Sequence, residues 1–183
     1  GKATGKITIE ADDNIMEYVV VEAKGGRLTA TIDKSVNNVS NADVTVTVPA
    51  NGRIRALDAS SAARITSDVT LTADKFSIDA SSAARIDAAI ETGSCTVGAS
   101  SASKITLKGS ADKCSIDMSS AAKLSAAEFT VADCSVDTSS AAKATVNCTD
   151  KLRAEASSGS SIRYTGDCQT SISKSSGGSV SRK

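Results

Sequence analysis

The octet Asp79-Ala80-Ser81-Ser82-Ala83-Ala84-Arg85-Ile86 decides the fold, because the chain keeps returning to it. It stands first at residues 58–65, recurs at 98–105, 117–124, 137–144 and 155–162, and ends in a divergent copy at 173–180. The intervals between first positions are 21, 19, 19, 20, 18 and 18 residues. Around each copy, apolar residues alternate with period two. Phe76, Ile78, Ala80, Ser82, Ala84 and Ile86 read as inward, and Ser77, Asp79, Ser81, Ala83 and Arg85 as outward. The same parity sorts Cys114, Ile116, Met118, Ser120, Ala122 and Leu124 inward, and it holds for Cys134, Val136, Thr138, Ser140 and Ala142. A helix would scatter Asp and Arg around the cylinder and place Ser-Ser pairs where they lose helix propensity. The repeat is therefore a strand repeat.

A unit of 18–21 residues is too short for helical repeats or propeller blades and lacks the leucine-rich pattern. It fits one coil of a parallel β-helix, about three short strands with their corners. Parallel crossovers favour one hand, so the reading is an all-β, right-handed, single-stranded parallel β-helix. Residues 1–183 read as one domain, with residues 1–49 an N-terminal strand-rich cap and 50–183 the coils. Strands are expected at 6–10, 16–22, 27–32 and 44–48, with turns at Asp12-Asp13-Asn14 and Lys24-Gly25-Gly26. Pro49 and Asn51-Gly52 mark the join to the coils. The cap covers an edge that would otherwise template aggregation, and residues 175–183 read as a frayed terminus.

Composition narrows the function classes. Ser (30), Ala (29) and Thr (18) make 77 of 183 residues, as a core built from small side chains requires. Twenty-one basic and twenty-one acidic residues cancel, so no global field recruits nucleic acid. Histidine is absent, which removes Ser-His-Asp and Cys-His catalysis and every His-ligated metal site. Aromatics are 2% with no Trp, so stacking platforms for bases or sugars are nearly missing. No apolar run approaches the ~18–20 residues of a membrane helix. The start Gly1-Lys2-Ala3, without Met, reads as processed or trimmed.

Ile9-Glu10-Ala11-Asp12-Asp13-Asn14-Ile15-Met16-Glu17-Tyr18, then Lys24-Gly25-Gly26-Arg27-Leu28, then Asn41-Ala42-Asp43-Val44-Thr45-Val46-Thr47-Val48-Pro49 and the Ser-Ser-Ala repeats resemble one secreted family of Bacteroidetes. It is the putative auto-transporter adhesin head domain, or head GIN domain, family. The resemblance covers nearly the whole chain and implies a β-helix exported to the periplasm, outer-membrane surface or cell exterior. Family members carry another strand or two before the acidic segment, so the chain is expected to be truncated there. The resemblance supplies no catalytic residue.

The residues offer four candidate chemistries. Cys95, Cys114 and Cys134 share an inward position with Phe76 and Leu152, so they read as buried, reduced hydrophobes; Cys148 and Cys168 lie outside that column. The acid column Asp58, Asp79, Asp117 and Asp137, with Glu155, could be read as a calcium ladder. It lacks the Gly-Gly-x-Gly-x-Asp repeat, however, and Gly98 interrupts it. The neighbouring basic column Arg64, Arg85, Lys104, Lys123 and Lys143 reads as compensating charge, so no metal or cofactor is expected. Ser101, Ser120 and Ser140 each precede a Lys by three, but on a strand the pair falls on opposite faces and cannot form the S-x-x-K catalytic unit.

What remains is an outward strip of hydroxyls and methyls. Ser60, Ser81, Ser100, Ser119 and Ser139 run beside Ala62, Ala83, Ala102, Ala121 and Ala141, bordered by the two charged columns. The expected function is a non-enzymatic surface or periplasmic module, an adhesin that recognises protein or glycan through flat β faces. The alternatives are a polysaccharide lyase, by analogy of fold alone, and a structural spacer. The strip of alanines, poor strand formers, also leads to the expectation of weak self-association.

Overall fold

Successive coils align residue with like residue, apart from bulges at Thr66/Thr70, Thr106/Lys108, Val146/Asn147 and Cys148/Lys151, and that register builds the interior. The computed structural model describes residues 8–11, 16–33, 44–48 and 54–183. It is an all-β solenoid of about seven turns, and among the described residues 74% are strand and almost none helix. The coils are β5 (Ala56–Ala59), β6 (Arg64–Ala80), β7 (Arg85–Ala99), β8 (Lys104–Met118), β9 (Lys123–Thr138), β10 (Lys143–Ala156) and β11 (Ser161–Thr165), continued by β12 (Gln169–Lys174) and β13 (Ser179–Arg182). From β5 to β11 each pairs in parallel with the next, and then β12 pairs with β10 and β13 with β11, so like side chains stack. One column runs Ile65, Ile86, Ile105, Leu124, Ala144, Ile162 and Val180, all buried. Another runs Phe76, Cys95, Cys114, Cys134 and Leu152, the placement the alternation predicts.

The N-terminal strands join this stack. β3 (Arg27–Ile32) pairs in parallel with β5, setting Leu28 beside Leu57, and β4 (Val44–Val48) pairs in parallel with β6, setting Val46 beside Ile65. Two antiparallel partners then cover their outer edges: β2 (Val19–Lys24) lies on β3 and β1 (Thr8–Ala11) on β4. Gly25 and Gly26, at φ of 60° and 84°, make the two-residue turn between β2 and β3, the mirror-image turn whose twist suits a hairpin. Met16–Tyr18 is a short 3-10 turn rather than the start of the strand expected at 16–22. The expected Asp12-Asp13-Asn14 turn and the Pro49 and Asn51-Gly52 join lie outside the described residues.

The repeated motif is a corner, not a continuous strand. In the Ser-Ser-Ala-Ala segments the second and third residues both have positive φ, from Ser61 (55°) and Ala62 (64°) to Ser140 (50°) and Ala141 (63°). The fourth residue donates back to the first, as in Ala63 N–H to Ser60 O at 3.1 Å and Ala122 N–H to Ser119 O at 3.1 Å. This sign pattern is that of a type I′ turn. The strand parity therefore breaks at the corner. Ser82, Ser101, Ser120, Ser140 and Ser158 are exposed, and Ser61 is half-buried, instead of forming the internal hydroxyl ladder that straight alternation predicts. The buried corner position is the fourth: Ala63, Ala84, Ser103, Ala122, Ala142 and Ser160. The terminus also departs from expectation. Ser179–Arg182 is paired with β11 and Val180 is only 9% exposed, so this segment is a further rung of the stack.

Candidate functional site

The corners divide the predicted strip into three parallel features. On the strand side before each corner, Asp79, Asp117 and Asp137 are exposed, Asp58 is half-buried, and Ser60, Ser81, Ser100, Ser119 and Ser139 are half-buried. At the corner tip, Ala62, Ala83, Ala102, Ala121 and Ala141 are exposed. After the corner, Arg85, Lys104, Lys123 and Lys143 are exposed, and Arg64 is half-buried. The strip is thus a ridge between an acidic flank and a basic flank, and it is not flat.

The small residue at the tip has a backbone cause. An L residue at φ near +60° is strained, and only short side chains tolerate the position cheaply. The last two coils carry Gly159 (φ 71°) and Gly177 (φ 78°) there, the residue that pays no such penalty. The tip N–H is consumed by the next coil: Ala83 donates to Ser101 O at 2.9 Å, and Ala121 to Ser140 O at 2.9 Å. The corner ladder therefore accounts for the alanines without a second molecule, and the argument from them to self-association falls away.

The acidic flank forms an open groove of about 410 Å³ lined by Asp58, Asp79, Asp117 and Asp137 with the first serines of the corners. The column's ends are paired: Arg27 donates to Asp58 at 3.0 Å, and Arg153 Nε donates to Glu155 at 2.9 Å. Among the described residues Asp79 accepts only the Ser77 hydroxyl at 3.1 Å, and neither Asp117 nor Asp137 has a cation at ion-pair distance, although the charge of Asp137 reaches the Arg153 guanidinium. Gly98 relieves the stacking of like charges. A Cβ there would lie 2.5 Å from Asp79 Oδ1, so the carboxylate leans into space that glycine leaves. Among the described residues no His, Cys, Asp or Glu cluster is arranged to hold a metal ion.

The basic flank forms a second groove, of about 300 Å³, lined by Lys104, Lys123, Lys143, Ser125, Thr145, Ser161 and Arg163. No ion pair joins it to the acidic flank among the described residues, so the charge columns do not compensate one another by contact. Ser125, Thr145 and Arg163 were missed in reading the sequence. Their signal is the period of two, since each lies two residues beyond the first outward position of its strand.

The thiols are shielded. Cys95, Cys114, Cys134 and Cys148 are buried and Cys168 is half-buried, all of them free. Burial pushes the Cys134 thiol up to about 12 and is the main cause lifting Cys148 to about 11. Cys114 is raised first by its hydrogen bond with Cys95 and then by burial. In Cys134 and Cys148 burial thus outweighs everything else and favours the neutral thiol.

The family model for the putative auto-transporter adhesin, head GIN domain, matches residues 1–168. The chain belongs to that family. Solved structures share its fold. A protein described as a putative adhesin from Bacteroides fragilis superposes with a TM-score of 0.77 at 21% identity, over 98% of this chain and 84% of that one. Another putative adhesin, from Parabacteroides distasonis, gives 0.68 at 20% identity, over 96% and 82%. A putative lipid binding protein from the same species gives 0.64 at 17% identity, over 97% and 83%. No curated protein matches the chain. Among the described residues no helix is long and apolar enough to cross a membrane.

Proposed function

We propose that this head GIN domain is a non-enzymatic, exported recognition module that binds protein or glycan through the columns flanking its corner ridge. The observation that carries the reading is the unspent charge. Asp117 and Asp137 on one flank and Lys104, Lys123 and Lys143 on the other are exposed, in register and without ion-pair partners among the described residues. A spacer has no use for aligned like charges, which repel along the stack. Export is what the family description implies. Catalysis is disfavoured by the chemistry at hand: buried thiols with raised pKa values, no histidine, and open grooves lined by strand and corner residues rather than long loops.

The test is an array of glycans and matrix proteins probed with the wild type and two variants, Asp79→Asn/Asp117→Asn/Asp137→Asn and Lys104→Gln/Lys123→Gln/Lys143→Gln. Recognition predicts at least one ligand whose signal falls in one variant and persists in the other. Silence across the array, or signals indifferent to both variants, contradicts it.

A further inference from the structure

We infer that the basic flank binds a linear acidic glycan laid along the solenoid axis across Lys104, Lys123 and Lys143. This names a ligand class for the recognition reading above and rests on it.

Lys104, Lys123 and Lys143 are direct register partners on β8, β9 and β10, and Arg85 precedes them in the same file. Neighbouring rungs lie ~4.8 Å apart, so the ammonium groups form a single row at one charge per coil. None of the three has a carboxylate partner among the described residues. Aligned cations at this spacing repel, and an anion settling beside each one removes that repulsion while gaining its own attraction. The acids on this face sit away from the three. Asp87 lies in the next column at the Arg85 end, and Glu128 is held by Lys108 at 3.0 Å.

The geometry selects among polyanions. One pyranose advances a glycan chain by about the distance between two neighbouring coils, so a polymer with one carboxylate per sugar carries its charge at the same linear density as the row of cations. Duplex DNA carries a charge every ~1.7 Å of its axis, too dense for a row one cation wide. The adjacent column Thr106, Ser125 and Thr145, closed by Arg163, sets hydroxyls beside the cations, the donors and acceptors that sugar hydroxyls require. Across the corners Asp79, Asp117 and Asp137 repel the polymer, confining it to one side. An anionic lipid surface fits less well. The large exposed hydrophobic side chains among the described residues, Ile9, Met16, Val20 and Ile172, are not on this flank.

The probe is polygalacturonate, titrated calorimetrically into the whole chain at low and at physiological ionic strength. Dextran and anionic phosphatidylglycerol vesicles are the comparisons. The inference expects binding of polygalacturonate that weakens steeply with salt and no binding of dextran. In Lys104→Gln/Lys123→Gln/Lys143→Gln it expects affinity lower by about tenfold or more and a shallower salt dependence. Asp79→Asn/Asp117→Asn/Asp137→Asn should bind at least as tightly as the wild type. Unaltered affinity in the lysine variant, equal binding of dextran, capture of vesicles in place of the polymer, or no binding at low salt overturns it. If array ligands persist while polygalacturonate fails, only this inference is lost; if the array is silent as well, the recognition reading fails with it.

Discussion

Two serines at equivalent corner positions should respond to alanine with opposite signs. Ser103 and Ser160 both occupy the buried fourth position of a corner, at 0% and 1% exposure. Ser160 is fully employed: its hydroxyl donates to Thr138 O at 2.8 Å, lies 2.9 Å from Thr138 Oγ1 and accepts from Ser157 N–H at 3.1 Å. Ser103 Oγ is buried and has no hydrogen-bond partner among the described residues. The residue placed before its neighbouring corner, as Thr138 is before that of Ser160, is Ala80, which offers no hydroxyl. An unsatisfied buried hydroxyl costs about 1–3 kcal/mol of desolvation, and a satisfied one contributes about 0.5–1.5 kcal/mol. Ser103→Ala leaves the methyl-sized residue that Ala84 and Ala122 already present to the interior, so it should stabilise by about 1 kcal/mol. Ser160→Ala should destabilise by about 1–2 kcal/mol, because Thr138 Oγ1 then keeps only the long 3.4 Å contact to Glu155 O. The sites share no partner, so the double variant should return close to the wild type. Urea unfolding followed by circular dichroism reads these shifts as midpoints at constant m-value. Destabilisation by Ser103→Ala of the same size as Ser160→Ala would refute the reasoning.

Other expectations follow from the corner ladder and the thiol column. Ala121 sits at φ 61°, so Ala121→Val should destabilise by about 1–3 kcal/mol while Ala121→Gly stays within about 1 kcal/mol of the wild type; on a flat strand valine would stabilise, and thermal melts of both variants decide. Native-state labelling with a bulky thiol reagent should modify Cys168 first and leave buried Cys95, Cys114, Cys134 and Cys148 intact; rapid labelling of all five sinks the column assignment. Because the folded Cys134 thiol is raised to about 12 from about 9, its contribution is complete below pH 9 and is lost as pH climbs toward 12. The associated slope approaches about 1.4 kcal/mol per pH unit, and Cys134→Val should flatten it in urea titrations at successive pH values.

The columns were legible because a period of two survives stacking. Ile78, Val97, Ile116 and Val136 sit where alternation puts them, as do the cysteines between Phe76 and Leu152. The corner was not legible from the well-preserved copies, since Ser-Ser-Ala carries neither the Gly nor the Asn that signals a left-handed turn. The signal lay in the divergent copies, where Gly159 and Gly177 replace the tip alanine. Misplacing the corner turned two charged flanks into one flat strip and made the alanines look like a contact surface. Lys104 was assigned to the basic column from sequence, whereas its isolation from the acids depends on the corner and emerges only in three dimensions.

The central claim, recognition without turnover, is tested most directly by recovering the ligand. Any glycan retained by the wild-type chain is incubated with it, eluted at high salt and sized by chromatography with mass detection. The account predicts a polymer of unchanged length and end groups, released intact and bound again on desalting. A shortened polymer, or new unsaturated or reducing ends that accumulate with time and protein concentration, would contradict it and make the fold a catalyst's.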